Sequence, residues 1–108
     1  MAAQRDITAM VTVTVQYLGM VRNLAGVPSE RVALPSRTAD VRTLLRRLEG
    51  TYGDEFTHYV LADEYRLSSL ARLLVDDVDV EQLPAGYGSP LTDGAVVRIV
   101  TVTPLSGG

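Results

Sequence analysis

The residues whose types and spacing suit covalent chemistry stand together at the end of the sequence, Thr103-Pro104-Leu105-Ser106-Gly107-Gly108. Gly107 and Gly108 carry no Cβ, so a carboxylate on Gly108 can enter a narrow channel and be approached from either side. Ser106 is small, and Leu105 is the one large apolar side chain of the group. Pro104 offers no N–H to a sheet ladder, which stops strand pairing there. Six extended residues reach roughly 20 Å. The stretch reads as a reactive arm, residues 103–108, presented by whatever precedes it.

Other chemistry is scarce. The chain of 108 residues has no cysteine, which excludes disulfides, thiolate catalysis, zinc thiolate sites and iron–sulfur ligation. All ten basic residues are arginine, so neither a phosphate-gripping P-loop lysine nor a Schiff base is available. An ATP-dependent step at Gly108 would therefore use a nucleotide site on another protein. His58 is the only histidine and reads as a structural residue rather than a metal ligand. The acidic group Asp76, Asp77, Asp79 and Glu81 lacks the glycine and closing glutamate of a calcium loop, so turn formation and solubility account for it. No nucleophile–base pair stands out. The expectation is a protein that is not an enzyme, with no catalytic residue, metal or bound cofactor of its own.

The body that positions the arm is legible in part. A composition of 46% hydrophobic and 21% charged residues suits one globular domain. A net charge of −3 argues against nucleic acid and favours a basic protein surface as partner. No apolar stretch is long enough to span a bilayer and no signal-peptide core is visible, so a cytoplasmic protein without membrane contact is expected. Residues 1–10 read as a flexible N-terminal extension, 11–102 as the domain and 103–108 as a flexible tail.

Within the domain, Val11, Val13, Val15 and Tyr17 alternate with Thr12, Thr14 and Gln16, a strand signal over 10–18. Residues 19–28 read as a loop and 31–34 as a second strand, forming a hairpin with the first. Thr38 is the expected N-cap of a helix in which Val41, Leu44, Leu45 and Leu48 share the buried face. Arg42, Arg46, Arg47 and Glu49 point away, and Gly50 is the expected stop. The 54–69 stretch is the least legible. Phe56, Tyr59, Val60 and Leu61 suggest a short second helix before a loop through Asp63-Glu64. Strands follow over 71–75 and 78–80 around an Asp76-Asp77 turn. A Gly/Pro-rich connection then leads to a last strand over 95–102 with Val97 and Ile99 on one face.

Strand, strand, helix, irregular segment and further strands make an α+β layout with one sheet face covered. A β-grasp, a mixed sheet of four to five strands with one main helix across it, satisfies this order. Periodicity by itself leaves a ferredoxin-like arrangement open.

The residues resemble a known family, the MoaD/ThiS-type ubiquitin-like sulfur carriers, nearest the small subunit of molybdopterin synthase. The matching stretches run in order. Val13-Thr14-Val15-Gln16-Tyr17-Leu18-Gly19-Met20-Val21-Arg22-Asn23-Leu24-Ala25-Gly26 resembles the family's first strand and following loop, and 38–48 its helix. Leu74-Val75-Asp76-Asp77 resembles its middle hairpin, 89–97 the turn into its last strand, and Gly107-Gly108 its end. The resemblance implies a β-grasp fold and a mechanism in which Gly108 is adenylated by an E1-like partner that uses ATP. A sulfur donor protein then converts it to a thiocarboxylate, while Pro104, Leu105, Ser106 and Gly107 thread the partner's active site and Leu105 anchors in an apolar notch. The implied acceptor is a molybdopterin synthase large subunit or another sulfur-accepting enzyme. Carriage of sulfur for cysteine or thiamine synthesis, and attachment to lysines of other proteins, are the alternatives within the family.

Overall fold

The computed structural model describes residues 9–62 and 66–102. The expectations for residues 1–8, for Asp63-Glu64 and for the arm 103–108 fall outside the described residues.

The alternation at the start of the chain becomes strand β1, Met10–Leu18, with Val13, Val15 and Tyr17 buried on one face. Strand β2, Ser29–Pro35, runs antiparallel to it from Met10 opposite Pro35 to Gln16 opposite Ser29. Between them the expected loop contains helix α1, Met20–Ala25, which sinks Val21 into the core. Six residues are under two turns, too few for an apolar period to register. Its limits are set by Gly19 and Gly26, both at positive φ, and the Gly26 N–H closes on the Arg22 carbonyl.

Helix α2, Val41–Tyr52, buries Val41, Leu44, Leu45 and Leu48 as their spacing requires. Its N-cap is Asp40 and not Thr38: the Asp40 carboxylate accepts the Thr43 N–H at 2.7 Å, while the Thr38 N–H is held in the preceding turn by the Pro35 carbonyl. Nor does Gly50 stop the helix. The helix continues one more half-turn because Tyr52 packs on Tyr17 and Phe56, and Gly53, at φ 78°, supplies the left-handed exit. Helix α3, Asp54–Val60, follows directly, with Asp54 and Glu55 in its first turn and Phe56 and Val60 buried. His58 is exposed beside Tyr59, the rings 5.1 Å apart and edge-on.

Strand β3, Ala71–Val75, turns through Asp76 and Asp77 into β4, which is only Val78–Asp79. The strand expected to reach Val80 ends early because Val80 is drawn fully into the core. It starts a 3-10 turn, Val80–Gln82, where the Asp79 carboxylate accepts the Glu81 N–H. Strand β5, Val96–Thr101, lies in the middle of a five-stranded sheet of order β2-β1-β5-β3-β4. It is parallel to β1 and antiparallel to β3. Val97 and Ile99 join Val13, Val15, Leu73 and the apolar face of α2 in one core. This mixed sheet with a main helix across one face is the β-grasp, ubiquitin-like arrangement. No helix among the described residues is long and apolar enough to cross a membrane.

Candidate functional site

The arm itself, with Pro104, Leu105, Ser106, Gly107 and Gly108, lies outside the described residues, so the site is built from its root. β5 alternates, and the period that buries Val97 and Ile99 carries Thr101 inward as well. Thr101 is 5% exposed. Its Oγ1 accepts the Val21 N–H at 2.8 Å and donates to the Leu18 carbonyl at 3.4 Å, tying β5 to the junction of β1 and α1. One residue later the Val102 N–H donates to the Leu70 carbonyl at 2.9 Å.

The opposite face of the sheet is not covered by α2. Near the root it carries Leu18, 42% exposed, and Val102, 59% exposed, with Val100 beside Leu18 in the β1–β5 register. Arg98 sits further along the same face, reaching Gln16 at 3.2 Å and Asp77 at 3.2 Å. Arg72 pairs with Asp79 at 3.1 Å. The acidic group is thus engaged in turn and ion-pair contacts, and Asp76 accepts the Val96 N–H at 2.9 Å. Among the described residues no cluster of three His, Cys, Asp or Glu side chains is placed to hold a metal ion. The surface beside the root can make apolar contacts edged by charge, the chemistry of a docking face rather than of a catalytic cleft.

A second polar group lies on the helix side of the sheet. The Tyr17 and Tyr52 hydroxyls both donate to one oxygen of the Glu30 carboxylate. Burial, reinforced by that carboxylate, pushes both phenols above the ordinary tyrosine range. The group joins β1, β2 and α2.

Reading the sequence does not single out Gly19 or Thr101. A signal for each is present: a glycine directly after a strong strand, and a polar residue at an inward position of a strand whose other inward residues are apolar.

No family model matches the chain, and no curated protein matches it significantly. Solved structures do. Molybdopterin converting factor subunit 1 from Pyrococcus furiosus is 28% identical over 86% of this chain and 99% of that one, with a TM-score of 0.69. Urm1 from Trypanosoma brucei is 25% identical over 94% of this chain and 99% of that one, at a TM-score of 0.71. A chain of the Amycolatopsis orientalis BexX/CysO complex matches at 20% identity over 87% and 99%, with a TM-score of 0.65, and bears on the fold alone. In fold and in the order of its sequence motifs, the chain resembles the MoaD/ThiS-type ubiquitin-like sulfur carriers.

Proposed function

We propose that this chain is a sulfur carrier acting in molybdopterin synthesis, with Gly108 as its reacting residue. In this reading an E1-like partner brings ATP. The Gly108 carboxylate attacks the α-phosphorus, pyrophosphate leaves, and the resulting acyl adenylate has AMP as a good leaving group. A persulfide sulfur on a donor protein displaces AMP to give an acyl disulfide. A thiol then reduces the S–S bond and releases the thiocarboxylate. The carrier supplies substrate atoms and a docking face, and its partners supply the catalytic groups. Gly107 and Ser106 give the tail a slim profile, Leu105 anchors it, and Pro104 threads the partner with them.

The observation that carries this reading is the likeness to a converting factor subunit along almost that subunit's whole length, joined to the Gly107-Gly108 end. An enzyme partner would dock on the open sheet face beside Leu18 and Val102. The molybdopterin synthase large subunit is the proposed acceptor, with enzymes of cysteine or thiamine synthesis as the alternatives, and the cytoplasm is the proposed site of action.

Intact-mass measurement after co-expression with the activating enzyme tests the reading. The expected product gains the mass difference of sulfur replacing one oxygen, located to Gly108 by fragmentation. Unmodified carboxylate, where a control carrier is converted, would count against the proposal. Diglycine remnants on lysines of other proteins would instead mark a protein modifier. Release of sulfur to the large subunit and not to a cysteine-forming enzyme would assign the pathway.

A further inference from the structure

Tyr17 aside, Thr101 and Ser89 are the buried polar side chains among the described residues, 5% and 6% exposed, and of the two only the Thr101 hydroxyl has hydrogen-bond partners. Its hydroxyl joins a helix N–H and a strand carbonyl from the β1–α1 junction. The backbone there is equally close. A Cβ added at Gly19 would come within 1.9 Å of the Thr101 carbonyl oxygen, and Gly19 adopts φ +85°. Only glycine fits both conditions. On the other flank the Leu70 carbonyl takes the Val102 N–H. Thr101, the last residue of β5, and Val102 directly after it are therefore gripped from both sides, although Val102 itself is 59% exposed.

The hydroxyl serves the fold as well, since it satisfies the Val21 N–H at the start of α1. Valine at position 101 would fill nearly the same space and suit a strand at least as well. What threonine adds is a hydroxyl that must be satisfied in the interior, at the one place where the body hands over to the arm.

We infer that the Thr101–Gly19 clasp is a positioning device for the chemistry at Gly108, fixing the point and direction from which residues 103–108 leave the sheet. The inference rests on the carrier reading. Its physical basis is that the clasp fixes the point at which the arm begins, and so narrows the volume that the Gly108 carboxylate can sample. Adenylation requires that carboxylate to be in line with a phosphorus atom, and small misplacements of reacting groups are costly in rate. A partner seated on the open face near Leu18 and Val102 meets the carboxylate at a defined distance only if the root is rigid.

The test uses the full chain as wild type, Thr101→Val, Thr101→Ser and Val102→Pro. Thr101→Val deletes the hydroxyl, Thr101→Ser keeps it, and Val102→Pro removes the bond to Leu70 while leaving Thr101 intact. ATP–pyrophosphate exchange is measured with an E1-like enzyme that converts the wild-type chain, and amide hydrogen exchange is measured on the carrier by itself. Thr101→Val is expected to lower kcat about tenfold at unchanged KM, because docking survives and productive tail placement does not. Thr101→Ser should restore kcat, and Val102→Pro should lower it similarly, which covers the case in which Thr101→Val does not fold. The Val21 amide should exchange at least about tenfold faster in Thr101→Val while those of α2 keep their protection.

A purely structural role would reduce the folded fraction and raise KM at constant kcat. That pattern, or wild-type kcat in folded Thr101→Val, overturns the inference. Failure of the wild-type chain to acquire sulfur would instead overturn the carrier reading, and the amide exchange would still show whether the clasp restrains the root.

Discussion

Glu30 shows how one residue ties three elements together. Its carboxylate accepts both the Tyr17 and Tyr52 hydroxyls, and Tyr17 is 1% exposed. Because both phenols are raised above their ordinary range, the folded protein keeps protons that the unfolded chain releases above about pH 10. Stability from this group is complete below about pH 10 and declines above it, by up to about 1.4 kcal/mol per pH unit for Tyr17 and by less for the more solvated Tyr52. Urea midpoints should hold from pH 7 to 9 and fall from about pH 10 upward. Tyr17→Phe should cost about 1–2 kcal/mol at neutral pH and make the alkaline decline shallower. The burial of Tyr17 follows from its place in an alternating strand. Its pairing with Glu30 and Tyr52 does not, since those residues stand 13 and 22 positions away in the chain.

Among elements, the differences from the sequence reading gather at boundaries. Thr38 and Asp40 are both capping types, Asp the stronger, and the turn closed by the Pro35 carbonyl also decides for Asp40. Asp40→Ala should therefore lower stability by about 1 kcal/mol, whereas Thr38→Ala should change it little. The β3–β4 turn offers a sharper contrast. Asp76 and Asp77 both take positive φ, 48° and 71°, the conformation of tight hairpin turns that favours Asn and Gly. Asp76 repays the strain by accepting the Val96 N–H, so Asp76→Ala should destabilise by about 1 kcal/mol or more. Asp77 makes only a surface ion pair with Arg98, its own side chain 80% exposed, so Asp77→Gly should stabilise by about 0.5–1 kcal/mol. Chemical denaturation of the two variants, expected to move in opposite directions, checks both. Helix α1 escaped the sequence reading because its reason for existing is tertiary: it fills the top of the core with Val21 and is capped by Thr101 from 80 residues away.

At the scale of the whole molecule, the body and the arm should be separable. Deleting Gly107-Gly108 should leave the thermal midpoint within about 1 °C of wild type, since terminal residues beyond the packed strands contribute little to stability. Under the proposed function the same deletion should abolish conversion to a thiocarboxylate, and calorimetry with mass spectrometry reads both. Strand faces, the buried side of the main helix and the α+β layout are legible in the sequence, because periods of two and 3.6 are local consequences of backbone geometry. So are the lack of cysteine and lysine and the adjacent pair Gly107-Gly108, because these are facts of composition. The place of β5 between β1 and β3 and the gathering of two tyrosines by Glu30 emerge only on folding. So does the close approach of Gly19 to Thr101. Those outcomes depend on which distant residues are brought within a few ångströms, and no periodicity in a chain records its long-range neighbours.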